Sequence, residues 1–216
     1  MANHIVPAII PTSFDHLDES LRIVEPFTTE VQVDIVDGAF VPFRSWPYVG
    51  SGSIQLLSRY TDTFQIEVDL MIMSPEDAVP LYVAAGVTGV VVHLESTRRI
   101  ETILAHHDEH TYALGLSINN DTPIGALMTL IPRVDYVQLM GIAHIGSQGQ
   151  PFDVRVLDRV REIRSMYPDI IISIDGSVNK DTLPRLIDAG ATRFVSGSAI
   201  FHVDDPEAAY RTLESM

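Results

Sequence analysis

An alternation of eight strands and helices, closing into a (β/α)8 barrel, is the architecture this sequence predicts. Three observations carry it. Eight short Val/Ile-rich runs recur along the chain, amphipathic segments separate them, and one short motif repeats at the spacing such a barrel requires. The strand-like runs are HIVPAII, VQVDIVD, FQIEVDLMI, TGVVVHLE, YALGLSI, VDYVQLMGI, DIIISID and TRFVSG. Most are near-continuous in apolar residues, as parallel strands covered on both faces should be. Dividing 216 residues among eight units gives about 27 each, near the lower end for this architecture.

The intervening segments carry helical spacing. Leu17, Leu21 and Val24 follow i, i+4, i+7, and so do Val156, Val160 and Ile163. Ser74-Pro75 before EDAVPLYVAA and Thr122-Pro123 before IGALMTLI predict a capping residue followed by proline at the first helical position. Gly86 and Gly190 are the matching stop signals. An open doubly wound sheet would give the same alternation. The echo between Ala85-Gly86-Val87-Thr88 and Ala189-Gly190-Ala191-Thr192 favours the barrel, because 104 residues over four units is 26 per unit. No Pro/Gly/Ser-rich linker divides the chain, so residues 1–216 are expected to form one barrel domain. GAFVPFRSWPYVGSGS, after the second strand, reads as a long loop.

Composition bounds the function. Lys+Arg number 14 against Asp+Glu 29, a formal charge of −15, with 46% hydrophobic residues. That apolar fraction supports a core. The acidic surplus argues against nucleic acid, whose phosphates are neutralised by Lys and Arg. The absence of cysteine removes disulfides, thiolate metal sites and thiol nucleophiles together. No run approaches the length of a membrane span, and MANHIVPAII does not read as a signal peptide. A cytoplasmic protein without membrane partners is the expectation.

In a barrel, chemistry sits where the strands end. Asp34 and Asp37 in VQVDIVDG, Glu67 and Asp69 in FQIEVDLM, and Asp175 in IISIDG fall there. The strand period of two puts Gln32 with Asp34, and Glu67 with Asp69, on one face. Asp-Gly after a strand is an ordinary turn signal, which accounts for Asp37 and Asp175 as readily as a site does. Asp34 and Asp69 lie inside apolar runs, where an unpaired charge is costly. Such carboxylates bind a cation or form an acid/base pair with separated pKa values. IDGSVNKDTL and VSGSAIF each put Gly-Ser where a helix would begin, Gly176-Ser177 and Gly197-Ser198. Backbone N–H groups there can hold phosphate without Lys or Arg. His93 at the fourth strand's end and His144 after the sixth are candidate mouth residues. His106, His107 and His110 read as a solvated helix end, Trp46 as loop packing, and Met71, Met73 and Met140 as core or mouth packing.

Taken together, VPAIIPTSF, VDIVDGAFVP, EVDLMIMSPED, VVHLES, GLSINNDTPI, VDYVQLMGI, IDGSVNKDTLPRLIDAGAT and SGSAIF resemble the ribulose-phosphate 3-epimerases, from residue 5 to about residue 202. The resemblance implies a TIM barrel that inverts the carbon next to the ketone of a phosphorylated ketopentose, forming dimers or larger homo-oligomers. Asp34 and Asp175 match the two aspartates that remove and return the proton from opposite faces. A divalent metal usually bridges them, held by these aspartates and two histidines. Here Gln32 and Asp69 stand at the histidine positions, and Ala8 stands where the family has a substrate-contacting serine. The family's Pro-Gly-Phe-Gly-Gly-like phosphate loop is AHIGSQGQ, bringing Gly146, Ser147 and Gly149 to the substrate side with Met140 before them. Ser177 replaces the second glycine after Asp175, and His93 matches a retained histidine near the substrate.

Gln32, Asp34, Asp69 and Asp175 would make an all-oxygen metal set, suited to magnesium or manganese rather than zinc. Without metal, three clustered carboxylates cannot all ionise cheaply, so at least one has a raised pKa and can serve as an acid. The leading expectation is an isomerase acting on a small phosphosugar. The alternative is a catalytically silent homologue that binds a phosphosugar or a protein partner, motivated by the lost histidines. Decarboxylation and Schiff-base aldol chemistry are disfavoured. The strand lysine of an Asp-x-Lys-x-x-Asp run is absent after Asp34, and Lys180 lies in a helix start.

Overall fold

The computed structural model describes residues 2–216. Among them, β1 (His4–Ile9), β2 (Glu30–Val36), β3 (Gln65–Met71), β4 (Gly89–His93), β5 (Ala113–Ile118), β6 (Tyr136–Met140), β7 (Ile171–Asp175) and β8 (Arg193–Ser196) pair in sequence order. All are parallel, and β8 closes on β1. The helices are α1 (Phe14–Val24), α2 (Val79–Ala84), α3 (Ile100–Glu109), α4 (Gly125–Met128), α5 (Arg155–Met166), α6 (Leu183–Ala189), α7 (Ser198–Phe201) and α8 (Pro206–Ser215). Between β2 and β3 the crossover is the long loop and a 3-10 segment, Ile54–Arg59. The closed barrel replaces the open-sheet alternative, and the repeated Ala-Gly motif ends α2 and α6, four units apart.

Local chemistry explains most boundaries. The Ser13 hydroxyl caps α1 by accepting from the His16 N–H at 3.0 Å, and Leu17, Leu21 and Val24 are buried. In α5 the buried stripe includes Val156, Val160 and Ile163. Gly190 terminates α6 with φ +108°, a left-handed conformation costly for any other residue.

Two expected caps fail, for identifiable reasons. Ser74 is itself left-handed, φ +57°, and makes no capping bond; Pro75–Asp77 form one 3-10 turn before α2 begins at Val79. Pro80 lacks the N–H that would carry a continuous helix through this point. The Thr122 hydroxyl is spent on Glu95, and α4 begins only at Gly125. The Gly176-Ser177 pair likewise does not open a helix, since α6 starts at Leu183.

The strands alternate more strictly than their apolar character suggests. Val31, Val33 and Ile35 pack outward in the main core with Leu17 and Leu21 of α1. The other face of the pleat turns Gln32 and Asp34, Glu67 and Asp69, Gln138, Ser173 and Asp175 into the barrel, all buried. Val6, Ala8 and Val195 form a small apolar cluster apart from that core.

The floor of the barrel is an ion network. Arg193 reaches Glu67 at 3.1 Å, Ser173 at 3.2 Å and Glu30 at 3.3 Å, with its guanidinium 5.3 Å from the centre of the Tyr136 ring. The Tyr136 hydroxyl donates to Glu67. Burial raises the Glu67 carboxyl, opposed by the charge of Arg193. Gly115 leaves room for this network, because a Cβ there would run into the Tyr136 ring. Gly115→Ala should therefore destabilise the fold by about 1–3 kcal/mol through overpacking. Urea unfolding measures this, and an unchanged midpoint would contradict the tight fit.

Candidate active site

The mouth of the barrel is built where β2, β3 and β7 end. Register sets Asp34 beside Asp69 on neighbouring strands, and Met140 beside Asp175. Ser45, from the long loop, ties down the end of β2: its hydroxyl donates to the Asp34 carbonyl at 2.8 Å and accepts from the Val36 N–H at 2.9 Å. Trp46 is fully buried beside it, as loop packing should be.

The three carboxylates are linked by amides. Gln32 Nε2 donates to Asp34 Oδ1 and Asp175 Oδ2, both at 2.9 Å. Gln138 Nε2 donates to Asp69 Oδ2 at 3.0 Å and lies 3.5 Å from Asp175 Oδ2. His93 Nε2 meets Asp69 Oδ1 at 3.2 Å, with both side chains fully buried. Burial pushes the Asp34 carboxyl well above its ordinary range, and the charges of Asp175 and Asp69 add to the shift. Burial, then Asp69, pushes Asp175 up to about 7. Burial alone would lower His93, but the Asp69 carboxylate outweighs it and raises the imidazole. Near neutral pH the Asp34–Asp175 pair therefore retains a proton, and an acid and a base lie side by side.

Above this pair opens a cleft. Asp34 and Asp175 border it, as do Ala8, Met140, Gly146, Ser147, Gly149, Gly176, Ser177, Gly197 and Ser198. Close approach of backbone shapes its rim. A Cβ on Gly141 would collide with the Gly176 carbonyl oxygen, and one on Gly197 with the Gln148 amide. Gly176 and Ser177 both have positive φ, +95° and +56°. Their turn is held from behind, where the Thr182 hydroxyl donates to the Ser177 carbonyl at 2.6 Å.

Other candidates fall elsewhere. His93 is fully buried and does not border the cleft; its Nε2 meets Asp69 and its ring lies 5.5 Å from the Phe40 ring. His144 is exposed on the outer part of the loop after β6. Asp37 is a turn residue, its carboxylate accepting from the N–H groups of Ala39, Phe40 and Met73. Among the helix-end histidines, His107 is mostly covered and contacts Asp135 at 3.4 Å, while His106 and His110 stack at 3.9 Å. Met71 and Met140 are buried and Met73 is exposed.

Two residues escaped the sequence reading. Gln148 borders the cleft and donates to the Ala8 carbonyl at 3.0 Å. Gln138 lies in β6 with the same period-two signal that marks Asp34, between inward Tyr136 and Met140. One oxygen from each of Asp34, Asp69 and Asp175 lies within 4.8 Å of the others. A single divalent cation could touch all three, and the Gln32 amide, which now faces them with its NH2, would add its unpartnered Oε1 to the set only by turning over. The donors present thus fit a hard divalent cation.

Comparison with known proteins points to one family. The model of the ribulose-phosphate 3-epimerase family matches residues 4–201. A ribulose-phosphate 3-epimerase of Bacillus subtilis is 29% identical over 211 residues, 95% of each chain. One from Mycobacterium leprae is 31% identical over 215 residues, 97% of this chain and 92% of its own. Among solved structures, 3-hexulose-6-phosphate synthase from Salmonella typhimurium superposes with a TM-score of 0.74 at 15% identity, covering 100% of this chain and 97% of that one. Orotidine 5'-phosphate decarboxylase from Pyrococcus horikoshii gives 0.68 at 17%, covering 98% and 97%. At such identities these structures speak for the fold alone. No helix among the described residues is long and apolar enough to cross a membrane. With its family model spanning nearly all of it, the chain belongs to the ribulose-phosphate 3-epimerase family.

Proposed function

We propose that this chain, an epimerase of phosphosugars by family, inverts the carbon next to the ketone of a small ketose phosphate such as ribulose 5-phosphate. The observation that carries the reading is the pair Asp34 and Asp175, bridged by one amide and bordering the same cleft. A carboxylate of the pair takes the proton from the carbon, giving an enediolate. The other, protonated at the start, returns a proton to the opposite face. Their raised pKa values keep one acid and one base available near neutrality. The phosphate lies against Gly176, Ser177, Gly197 and Ser198, with Gly146, Ser147 and Gly149 across the cleft, so backbone amides hold it in a chain of charge −15. Ala8 and Met140 line the sugar between these ends. His93 acts from behind Asp69 rather than on the sugar. We place the chain in the cytoplasm, as its composition suggests, and in a homo-oligomer, as the family resemblance implies.

Asp34, Asp69 and Asp175, with Gln32 Oε1, would hold magnesium or manganese in preference to zinc, since all the donors are oxygen. Such a cation would stabilise the negative charge of the enediolate oxygens.

Asp34→Asn and Asp175→Asn should each lower deuterium incorporation from heavy water into ribulose 5-phosphate by at least about 100-fold. Exchange retained in both variants would sink the assignment, and sugar-phosphate binding without exchange in the parent would mark a silent homologue.

Asp175 also gives a pH signature. Its carboxyl is held at about 7 in the fold against 3.8 when free. The folded chain keeps a proton that the unfolded chain has released, so this contribution to stability is full below about pH 4 and lost as pH rises through about 7. Asp175→Asn cannot ionise. In cation-free buffer it should melt above the parent at about pH 8, with the gap closing toward about pH 4. A parent equally stable at about pH 8 would contradict the crowding of carboxylates.

For the cation, elemental analysis of purified protein should find magnesium or manganese, not zinc. Gln32→His should raise affinity for zinc relative to manganese in calorimetric titrations. An unchanged ratio would remove residue 32 from the metal set.

A further inference from the structure

The hydrogen bonds beneath the reacting carboxylates run in one direction, and that direction starts at the barrel floor. Arg193 can only donate. Its Nη1 lies 3.2 Å from Ser173 Oγ, so this hydroxyl accepts there and has its own proton left to give. The group in line is Gln138 Oε1, at 3.5 Å. With its carbonyl end turned to Ser173, the Gln138 amide presents its NH2 to Asp69 Oδ2 at 3.0 Å and toward Asp175 Oδ2 at 3.5 Å. The opposite rotamer would set a carbonyl oxygen against two carboxylate oxygens. Both ends of the amide therefore select the same orientation.

The consequence falls on Asp175. Its Oδ2 faces Gln138 and accepts from Gln32 at 2.9 Å, so the N–H groups converge on one oxygen and leave Oδ1 for the cleft. Gln138 itself is fully buried and does not border the cleft. We infer that Gln138 is a positioning residue for the proton transfer, its amide oriented from the floor by Arg193 through Ser173 and fixing which oxygen of Asp175 meets the substrate. This rests on the two-aspartate reading above, and nothing in that reading requires a glutamine at this position.

The test compares the parent with Gln138→Met, of similar size but without N–H groups, with Ser173→Ala, and with the double variant. Steady-state kinetics and deuterium exchange on ribulose 5-phosphate are read alongside thermal melting. Gln138→Met should lower kcat by about tenfold or more with KM within about twofold, the pattern of lost orientation rather than lost binding. Ser173→Ala should lower kcat less, and adding it to Gln138→Met should change nothing further, because both act through one amide. A rise in KM at constant kcat, additive losses, or parental kcat in Gln138→Met would each overturn the inference. If Gln138→Met does not fold, Ser173→Ala decides: reduced kcat at constant KM supports the relay, and parental kcat overturns it. A parent without exchange would overturn the reaction itself and this role with it, a failure separable from one seen only in the variants.

Discussion

The barrel interior has to keep three carboxylates within reach of one another and a fourth, Glu67, one layer below. Four carboxyl groups in a closed strand cylinder are tolerable only if each finds a donor or keeps a proton, because an unpaired buried charge costs several kcal/mol. The donors come from every side. Arg193 serves Glu67, His93 and Gln138 serve Asp69, and Gln32 serves Asp34 and Asp175. What they leave uncompensated is the pair at the top, whose raised proton affinity is the feature acid/base chemistry requires. Stability and function thus diverge at one place. The site is the part of the core where charge is least well balanced.

Room for this polar interior comes from small residues. Gly115 admits the Tyr136 ring, and Gly89 lies where a Cβ would meet Glu67 side-chain atoms at 3.2 Å. At the mouth, Gly141 lets the loop after β6 pass close to Gly176, and Gly197 admits Gln148. Ser177 is the exception, a residue with a Cβ at φ +56°. Left-handed backbone costs such a residue about 1–2 kcal/mol. The Thr182 hydroxyl and Asn179 amide both bond the Ser177 carbonyl and help hold this turn at the edge of the cleft.

Much of this was legible before any coordinates. The eight strands follow from Val/Ile-rich runs, and carboxylates inside those runs mark the inward face. Of the glycines and serines that border the cleft, those after strands 7 and 8 follow from their place and those after strand 6 from the family resemblance. What remained hidden depends on contacts between distant parts of the chain. Nothing local to Ser74 or Thr122 reveals that one adopts a left-handed backbone or that the other bonds Glu95. Nothing near His93 pairs it with Asp69, since that follows from the register of β3 against β4. Gln138 carried a readable signal, a polar residue at an inward position of an apolar strand. Its partners lie 69 and 37 residues away, so the signal had no visible destination.

The departures from the family pattern form one electrostatic unit. Placing aspartate at position 69, where the family has histidine, adds a negative charge beside two others. That addition is compatible with folding because His93 and Gln138 cover both oxygens of Asp69. Gln32, at the other histidine position, supplies an N–H to each of Asp34 and Asp175 while leaving an oxygen unpartnered. An amide can face either way: N–H toward carboxylates when they stand alone, oxygen toward a cation when one is shared. Imidazole offers no such choice without changing its tautomer. In this chain the balance of the three aspartates is carried by two amides and an internal imidazole. Reverting one position alone would leave the others mismatched. Asp69→His would take from His93 and from the Gln138 amide the carboxylate that both now bond, so residues 32, 69, 93 and 138 have to be understood as a set.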